Sequence, residues 1–279
     1  MSKLGLIAGG GGLPVEIAAA CQQAGRPLFV IRLKGFAGPD LAAFPGADIG
    51  LAELGKCIRA LKAAGCDSIC FAGHVSRPDF AALRPDVRGL KALPGLIAAA
   101  RHGDDGLLRA LLGEFEKEGF TIEGADEAMG DLRLSAGALG KVRPGPAHAG
   151  DIARGLHVAR ELGRLDIGQG AVVCDGLVLA VEAQEGTDAM LRRVADLPAA
   201  IRGSPAALRG VLAKAPKPIQ ETRVDLPTIG LGTIQRAARA GLAGVVGEAG
   251  RLLVLDRAEV IALADELGLF VFGVEPERQ

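Results

Sequence analysis

The order of apolar segments at the start of the chain constrains the fold more than any other feature of the sequence. Three short apolar runs, residues 4–8, 27–33 and 68–72, are typical of buried strands, and helical patterns separate them. Strands joined through helices pair in parallel, because a parallel pair needs a long crossover connection. The start of the chain therefore predicts a parallel sheet covered by helices.

The second half of the chain breaks this pattern with a β-hairpin signal. Two apolar runs, residues 171–174 and 177–181, flank the dipeptide Asp175-Gly176, which favours a tight two-residue turn. Strands joined by such a turn are antiparallel, so the sheet in this half is predicted to be mixed.

These two patterns predict an α/β protein of two domains, which a length of 279 residues allows. The N-terminal domain, residues 1–133, is expected to be Rossmann-like, and the C-terminal domain, residues 151–279, to be mixed α/β. Residues 134–150 contain a proline-rich stretch that cannot continue a helix, and we predict a linker there. Asp151 is expected to cap the helix that follows.

Composition and charge exclude several classes of protein. The net charge is −1, and the chain has nine Phe but neither Trp nor Tyr, so nucleic-acid binding is not expected. No apolar stretch approaches the ~20 residues of a membrane-spanning helix. The five cysteines are scattered among apolar residues, which favours reduced, buried thiols in a cytoplasmic protein.

A run of four glycines, residues 9–12, follows the first predicted strand and precedes a helix with Pro14 in its first turn. Backbone N–H groups in such a turn are suited to hold a phosphate, so Gly11, Gly12 and Leu13 are candidate substrate-binding residues. The run departs from the dinucleotide fingerprint, because Pro14 occupies its third glycine position. A tight turn with a structural role alone is the alternative.

Gly73 and His74 follow the third predicted strand, at the edge of the sheet where ligands of open α/β folds bind. His74 is a candidate for contact with a base, a ribose or a phosphate. A purely structural hydrogen bond of its imidazole is the alternative.

Two pairs of acidic residues are candidate ligands for a divalent cation, since carboxylate oxygens suit hard ions. Asp104 and Asp105 lie between two predicted helices, and Glu185 and Asp188 lie where the hairpin leads into a helix. Thr187, at the N-terminus of that helix, is a candidate contact for an anion. Helix capping and alignment with the helix dipole are the alternatives.

The run from Lys217 to Gly230 is the strongest functional candidate. It places Lys217, Gln220, Arg223 and Asp225 in one segment with prolines at both ends, which fix φ and make the segment stiff. Cations beside a carboxylate suit a phosphorylated substrate bound with a metal, and a surface loop with local salt bridges is the alternative. No serine elbow, Walker loop or zinc spacing is present, so the residues alone indicate a soluble α/β enzyme for an anionic substrate.

Several stretches of the sequence carry a resemblance to a known family: residues 5–14, 72–75, 103–105, 166–169, 181–188 and 217–230. Together they are similar to the UDP-2,3-diacylglucosamine pyrophosphatases of lipid A synthesis in Gram-negative bacteria. The similarity is to the LpxI-type form, which is unrelated to the calcineurin-like metallophosphoesterases. It covers nearly the whole chain, and its last two stretches are the specific ones.

The resemblance implies a reaction and roles for the candidate residues. The reaction is Mg²⁺-dependent hydrolysis of UDP-2,3-diacylglucosamine to UMP and 2,3-diacylglucosamine 1-phosphate (lipid X), by water attack on the α-phosphorus. Asp225 becomes the leading catalytic carboxylate, as metal ligand or base, and the other polar side chains of its run stabilise the diphosphate: Lys217, Gln220 and Arg223. The candidate metal ligands are Asp225, Glu185, Asp188, Asp104 and Asp105. The candidate contacts of the UDP portion are Gly11, Gly12, Leu13, Gly73 and His74.

The resemblance also sets expectations about location and partners. The protein is expected in the cytoplasm, with peripheral contact at the inner membrane, and a homodimer is left open. A cleft between the domains is expected to offer the apolar groove that acyl chains need. One alternative function is a non-catalytic binder of a nucleotide or lipid, although Lys217 and Asp225 are both present. A nucleotide-sugar oxidoreductase is the other, and the acid it needs after the second predicted strand is missing.

Overall fold

A computed structural model describes residues 2–76, 83–101, 104–129, 132–217 and 226–276, and the side chains of residues 104 and 105 lie outside this description. Described residues up to 129 form one compact unit, and those from 132 onward form a second. No helix in these ranges is long and apolar enough to cross a membrane. One parallel and one mixed sheet confirm the predicted α/β fold class.

In the part of the first unit that the structure describes, five strands form the sheet: β1 (Leu4–Ala8), β2 (Leu28–Leu33), β3 (Gly46–Ile49), β4 (Ser68–Ala72) and β5 (Thr121–Ile122). All pair in parallel, in the order β3-β2-β1-β4-β5. β3 and β5 were not predicted, because each is too short to show a clear pattern of its own. Since β2 and β4 lie on opposite sides of β1, a topological switch point lies between β1 and β4.

Within the described ranges, five helices accompany this sheet: α1 (Leu13–Gln23), α2 (Leu54–Ala63), α3 (Val87–Ala100), α4 (Asp104–Glu116) and α5 (Ala125–Met129). A 3-10 turn spans Pro39–Ala43. α2 and α4 pack on one face of the sheet, where Leu61 and Phe115 join Ile7, Ile31 and Ile69 in a core. α4 begins at Asp104, whereas the sequence analysis placed Asp104 and Asp105 between two helices. The aspartate pair therefore lies in the first turn of the helix and not in a loop.

The described residues of the second unit form ten strands: β6 (Gly137–Ala138), β7 (Gly170–Cys174), β8 (Leu177–Val181), β9 (Gly203–Ser204), β10 (Ala207–Leu208), β11 (Val211–Lys214), β12 (Thr228–Ile229), β13 (Gly244–Glu248), β14 (Leu253–Val254) and β15 (Phe270–Val274). Six of them form a mixed sheet in the order β6-β15-β13-β11-β7-β8, and the others pair as β9-β10 and β12-β14. The predicted hairpin is confirmed, since β7 and β8 are antiparallel. Its turn residues Asp175 and Gly176 have φ of 49° and 76°, as such a turn requires.

The helices of the second unit cover both faces of the mixed sheet. They are α6 (Ala149–Arg164), α7 (Gly186–Ala195), α8 (Ala199–Arg202), α9 (Leu231–Arg239) and α10 (Arg257–Glu266). α6 packs on one face through Leu156 and Ala159, while α7, α9 and α10 bury their apolar side chains against the other. Residues 134–150, predicted as the linker, carry β6, a 3-10 turn at Pro146–His148 and the start of α6.

The role predicted for Asp151 is wrong. α6 begins at Ala149, so Asp151 lies inside its first turn and is not the N-cap. Its buried carboxylate accepts hydrogen bonds from the backbone N–H groups of Asp175 (2.9 Å) and Gly176 (2.6 Å). Asp151 therefore stabilises the hairpin turn, because buried backbone N–H groups need an acceptor.

Candidate functional site

The turns after β1 and β4 meet at the switch point of the first unit. Gly10 and His74 exchange two backbone hydrogen bonds, of 2.9 and 2.8 Å. Gly73 has a φ of 91°, and a Cβ there would lie 2.5 Å from the Gly10 carbonyl oxygen. Glycine is therefore needed at this position for the close approach of the two turns.

The predicted contacts of the UDP portion all lie at this edge of the sheet. Gly11 and Gly12 are exposed beside the joined turns, and a Cβ on Gly11 would meet no atom within 4 Å. Leu13 is the first residue of α1, and the side chain of His74 is exposed. The close approach of the two turns thus explains the glycines where they meet, whereas the space in front of the Gly11 backbone is open. Ligand contact by these residues stays a prediction.

An apolar cavity of about 420 Å³ lies beside the same edge. Its walls come from the sheet and from α2, α3 and α4, and its lining extends from exposed Gly73 and His74 to buried Phe115. Most of the lining is leucine and other aliphatic side chains. This part of the first unit is therefore suited to an apolar ligand.

Burial raises the pKa of all five cysteine thiols. All five are buried, which confirms that part of the prediction made from their sequence context. Cys57 lines the cavity, and burial raises the pKa of its thiol to about 12. The thiol therefore stays protonated near neutral pH and is unreactive.

A buried polar network lies at one edge of the mixed sheet in the second unit. β8 and β11 both end at this edge, because each is antiparallel to β7. Lys214, which is 4% exposed, donates from Nζ to Thr187 Oγ1 at 2.9 Å and to the Thr228 carbonyl oxygen at 3.1 Å. The Thr187 hydroxyl in turn donates to Glu182 Oε1 at 2.8 Å. Lys214, Thr187 and Glu182 are called the edge network below.

The described part of the chain satisfies one of the two carboxylate oxygens of Glu182. The residue is 7% exposed, and its Oε2 has no hydrogen-bond partner among the described residues. By contrast, buried Glu248 at the end of β13 is paired with Arg160 at 2.7 Å and with Arg251 at 3.0 Å. A buried carboxylate oxygen without a partner is costly, so Oε2 is suited to a ligand that brings a cation or a donor.

The proline-bounded run begins and ends at the edge network. Lys214 lies just before it, and Thr228, whose carbonyl oxygen accepts from Lys214, lies near its end. Lys217 Nζ lies 2.6 Å from Asp166 Oδ1, and both side chains are half-buried. The other predicted catalytic residues of the run, Gln220, Arg223 and Asp225, lie outside the described residues.

The predicted metal ligands do not form a cluster within the described part of the chain. Glu185 pairs with Arg193 at 2.5 Å, and Asp188 pairs with Arg236 at 3.1 Å. No group of three or more His, Cys, Asp or Glu residues within the described ranges is arranged to hold a metal ion. Mg²⁺ often takes only one or two protein carboxylates and fills its shell with substrate phosphates and water. The ligand set therefore stays a prediction.

Sequence reasoning missed Lys214 and did not select Glu182. One signal for Lys214 was available, because a lysine closes a strand of small and aliphatic residues just before the prolines. Lysine is almost never fully buried unless it is paired, so a lysine in a buried strand indicates a partner. For Glu182, the only signal in the sequence was its position directly after the second strand of the hairpin.

Comparisons with known proteins agree along the whole chain. A model of the LpxI N-terminal domain matches residues 3–132, and a model of the LpxI C-terminal domain matches residues 135–272. A protein of Caulobacter vibrioides is 71% identical over 279 residues, which is 100% of both chains. It is named UDP-2,3-diacylglucosamine pyrophosphatase LpxI.

These matches correct the resemblance stated from the sequence. The resemblance named the family by its pyrophosphatase activity and so assigned family and activity together. The domain models show the LpxI family and state no reaction. The pyrophosphatase activity comes from the name of the Caulobacter relative.

Proposed function

This chain belongs to the LpxI family, and from that membership we propose that it hydrolyses the diphosphate of UDP-2,3-diacylglucosamine. The observation that carries the proposal is the full-length relative at 71% identity, whose name states this activity. The edge network supports it, since a diphosphate needs fixed positive charge in a place from which water is partly excluded.

The proposed reaction is a single displacement at phosphorus. A water oxygen bonds to the α-phosphorus, and the bond between that phosphorus and the bridging oxygen breaks. The products are UMP and 2,3-diacylglucosamine 1-phosphate (lipid X), and a carboxylate takes the proton of the water. Asp225 is the proposed base or metal ligand, and Lys214 joins Lys217 and Arg223 in balancing the charge of the diphosphate.

Mg²⁺ is part of the proposal. Oε2 of Glu182 fits a hard cation, because it is a buried carboxylate oxygen without a partner among the described residues. Glu182 would hold the ion. When bound, the ion would neutralise charge on the phosphoryl oxygens.

We further propose where the reaction takes place. The substrate carries acyl chains and a water-soluble nucleotide, so the enzyme would work in the cytoplasm with peripheral contact at the inner membrane. It would supply lipid X to lipid A synthesis. A chain without an excess of positive charge is not expected to bind nucleic acid.

The direct test is incubation with UDP-2,3-diacylglucosamine and Mg²⁺ in ¹⁸O-labelled water. We expect UMP that carries the label and lipid X that does not. Label in lipid X would reject attack on the α-phosphorus. Tight binding of the substrate without any UMP, at every Mg²⁺ concentration, would favour the non-catalytic alternative.

Replacing the proposed base gives a second test. Asp225→Ala is expected to lower kcat by about 10³-fold at saturating Mg²⁺, which is within the usual range for a lost acid–base group. Asp196→Ala removes an exposed aspartate of the second unit and should leave kcat unchanged. Hydrolysis by Asp225→Ala at near the wild-type rate would reject the role given to Asp225.

A further inference from the structure

We propose that helix α3 docks the first unit onto the surface of a bilayer that contains anionic phospholipids. This inference rests on the proposed function for the contact with a membrane, and it names the part of the chain that makes this contact. The docking surface, called the α3 surface below, is formed by the exposed residues of the helix: Val87, Leu90, Lys91, Pro94, Gly95 and Ala98.

The exposed residues of α3 form one continuous stripe. They recur at intervals of three and four along the helix, and residues at these intervals lie on the same side of an α-helix. The other side faces the unit, since Gly89 and Ala100 are buried and Leu93 and Leu96 line the apolar cavity. α3 therefore packs on the unit through one side and presents the α3 surface to solvent.

The α3 surface is apolar, although the solvent side of a helix in a globular protein is usually polar. Val87 is 76% exposed and Leu90 is 62% exposed. Pro94, Gly95 and Ala98 continue the stripe without adding a polar side chain. An apolar stripe that is exposed in this way indicates a partner that removes it from water.

The cations of α3 and of the neighbouring helix α2 indicate that the partner is anionic. Neither helix contains an Asp or a Glu. Together the two helices contain five cations: Lys56, Arg59, Lys62, Arg88 and Lys91. Two more exposed cations lie on either side of α3: Arg84 and Arg101. Because the whole chain has a net charge of −1, this concentration of cations is local, and it matches the negative surface of an anionic bilayer.

Carboxylates beside the two helices are bound by the unit itself. Asp86 accepts hydrogen bonds from the backbone N–H groups of Lys56 at 2.7 Å and of Gly89 at 2.8 Å. Glu118 pairs with Lys62 and Arg88. The charge of these carboxylates is therefore balanced within the unit.

The composition of α3 favours a bilayer over a protein as the partner. Its 14 residues include no side chain with a hydroxyl, an amide or a carboxylate. Protein interfaces form about one hydrogen bond per 100–200 Å² of buried surface, and in α3 only the Arg and Lys side chains could form them. A helix at a bilayer surface needs apolar side chains that enter the boundary between headgroups and acyl chains, and cations that meet the lipid phosphates. The α3 surface and the cations around it supply both.

Sedimentation with lipid vesicles tests the proposal without relying on turnover. We expect the wild type to bind vesicles of phosphatidylglycerol and phosphatidylcholine in equal parts, and to bind pure phosphatidylcholine more weakly. Leu90→Glu and Lys91→Glu should each lower the partition coefficient roughly tenfold, because each places a carboxylate against an anionic surface. Leu165→Glu, at a residue of the second unit that is 70% exposed, is the matched control and should bind as the wild type does. Absence of wild-type binding, or equal losses in Leu90→Glu and Leu165→Glu, would overturn the proposal.

A fluorescence experiment locates the contact on the chain. The chain has no Trp, so Leu90→Trp introduces a single fluorophore on the α3 surface. Vesicles whose lipids carry brominated acyl chains should quench this fluorophore, because heavy-atom quenching requires contact, and should not quench Leu165→Trp. Quenching of Leu165→Trp alone would overturn the proposal, since it would assign the docking to the second unit.

A second copy of the chain is the other occupant that these measurements can detect. Sedimentation velocity without lipid should give the same oligomeric state for the wild type and for Leu90→Glu. A wild-type dimer that Leu90→Glu converts to monomers, together with an unquenched Leu90→Trp, would assign the α3 surface to a partner subunit and overturn the proposal.

A kinetic experiment separates this inference from the proposed function. The substrate is supplied in micelles of an uncharged detergent, so that no anionic bilayer is present, and Leu90→Glu should keep the wild-type kcat/KM. Hydrolysis by a wild type that does not bind anionic vesicles would overturn the docking alone. Vesicle binding that depends on Leu90 and Lys91, without any hydrolysis, would support the docking and overturn the proposed function alone.

Discussion

The two sheets of this protein end in edges of opposite chemistry. In the first unit, glycine turns and an apolar cavity lie at the carboxyl ends of β1 and β4. In the second unit, buried Lys214 and Glu182 are linked through Thr187. An apolar edge binds a ligand by removing apolar surface from water. Buried charges act through their electrostatic field and need hydrogen-bond partners. The first edge is therefore suited to apolar groups of a ligand, and the second edge to charged groups.

The largest expected effect tests the charged edge. Lys214→Met keeps the length of the side chain but removes its charge, and we expect kcat to fall about 10²-fold, as for loss of one preorganised donor. Lys141→Met replaces an exposed lysine of the same unit and serves as the control in the same kinetic assay. A change of less than twofold in kcat would mean that the edge network is structural only. The melting temperature of each variant shows whether lost activity reflects lost folding.

The glycine edge gives the next effect, which is on stability. Gly73→Ala places a Cβ 2.5 Å from a carbonyl oxygen in addition to a φ of 91°, so we expect a loss of about 2–4 kcal/mol in the free energy of unfolding. Gly119→Ala is a matched control, because Gly119 has the same φ but no atom within 4 Å of the new Cβ. The control should lose about 1–2 kcal/mol in urea unfolding. Equal losses of unfolding free energy in the two variants would show that the close approach of the two turns does not contribute to the cost of Gly73→Ala.

The smallest expected effect concerns the ion pairs that Glu118, just after α4, makes with Lys62 of α2 and Arg88 of α3. Lys62 and Arg88 hold the pKa of Glu118 at about 2. Because this pKa lies below the unfolded value of about 4.3, the ion pairs stabilise the fold above that pH and are lost as the pH falls towards 2. Glu118→Gln should therefore show a smaller drop in melting temperature than the wild type across this window. Glu266→Gln, an exposed site on α10, should keep the wild-type drop, and identical curves for all three proteins would contradict the assignment.

Local sequence patterns predicted most of the architecture. Apolar runs and glycine turns predicted β1, β2 and β4, and the Asp175-Gly176 turn predicted the hairpin. Short strands such as β3 and β5 were missed, because partners elsewhere in the sheet create them. Asp151 was predicted to be a helix N-cap from its neighbours in the sequence. The backbone N–H groups that its carboxylate binds lie 24 and 25 residues away.

The sequence by itself determined the α/β class, the glycine turn at the first sheet edge and the motifs by which the family is recognised. These features depend on neighbours within a few residues, and such neighbours set backbone conformation. Only the tertiary structure decided that Lys214 meets Thr187, 27 residues away, and that Glu182 completes the edge network. It also decided that α2, α3 and α4 leave an apolar cavity over the first sheet. Strand order and helix packing place such residues together, and neither is encoded in local spacing.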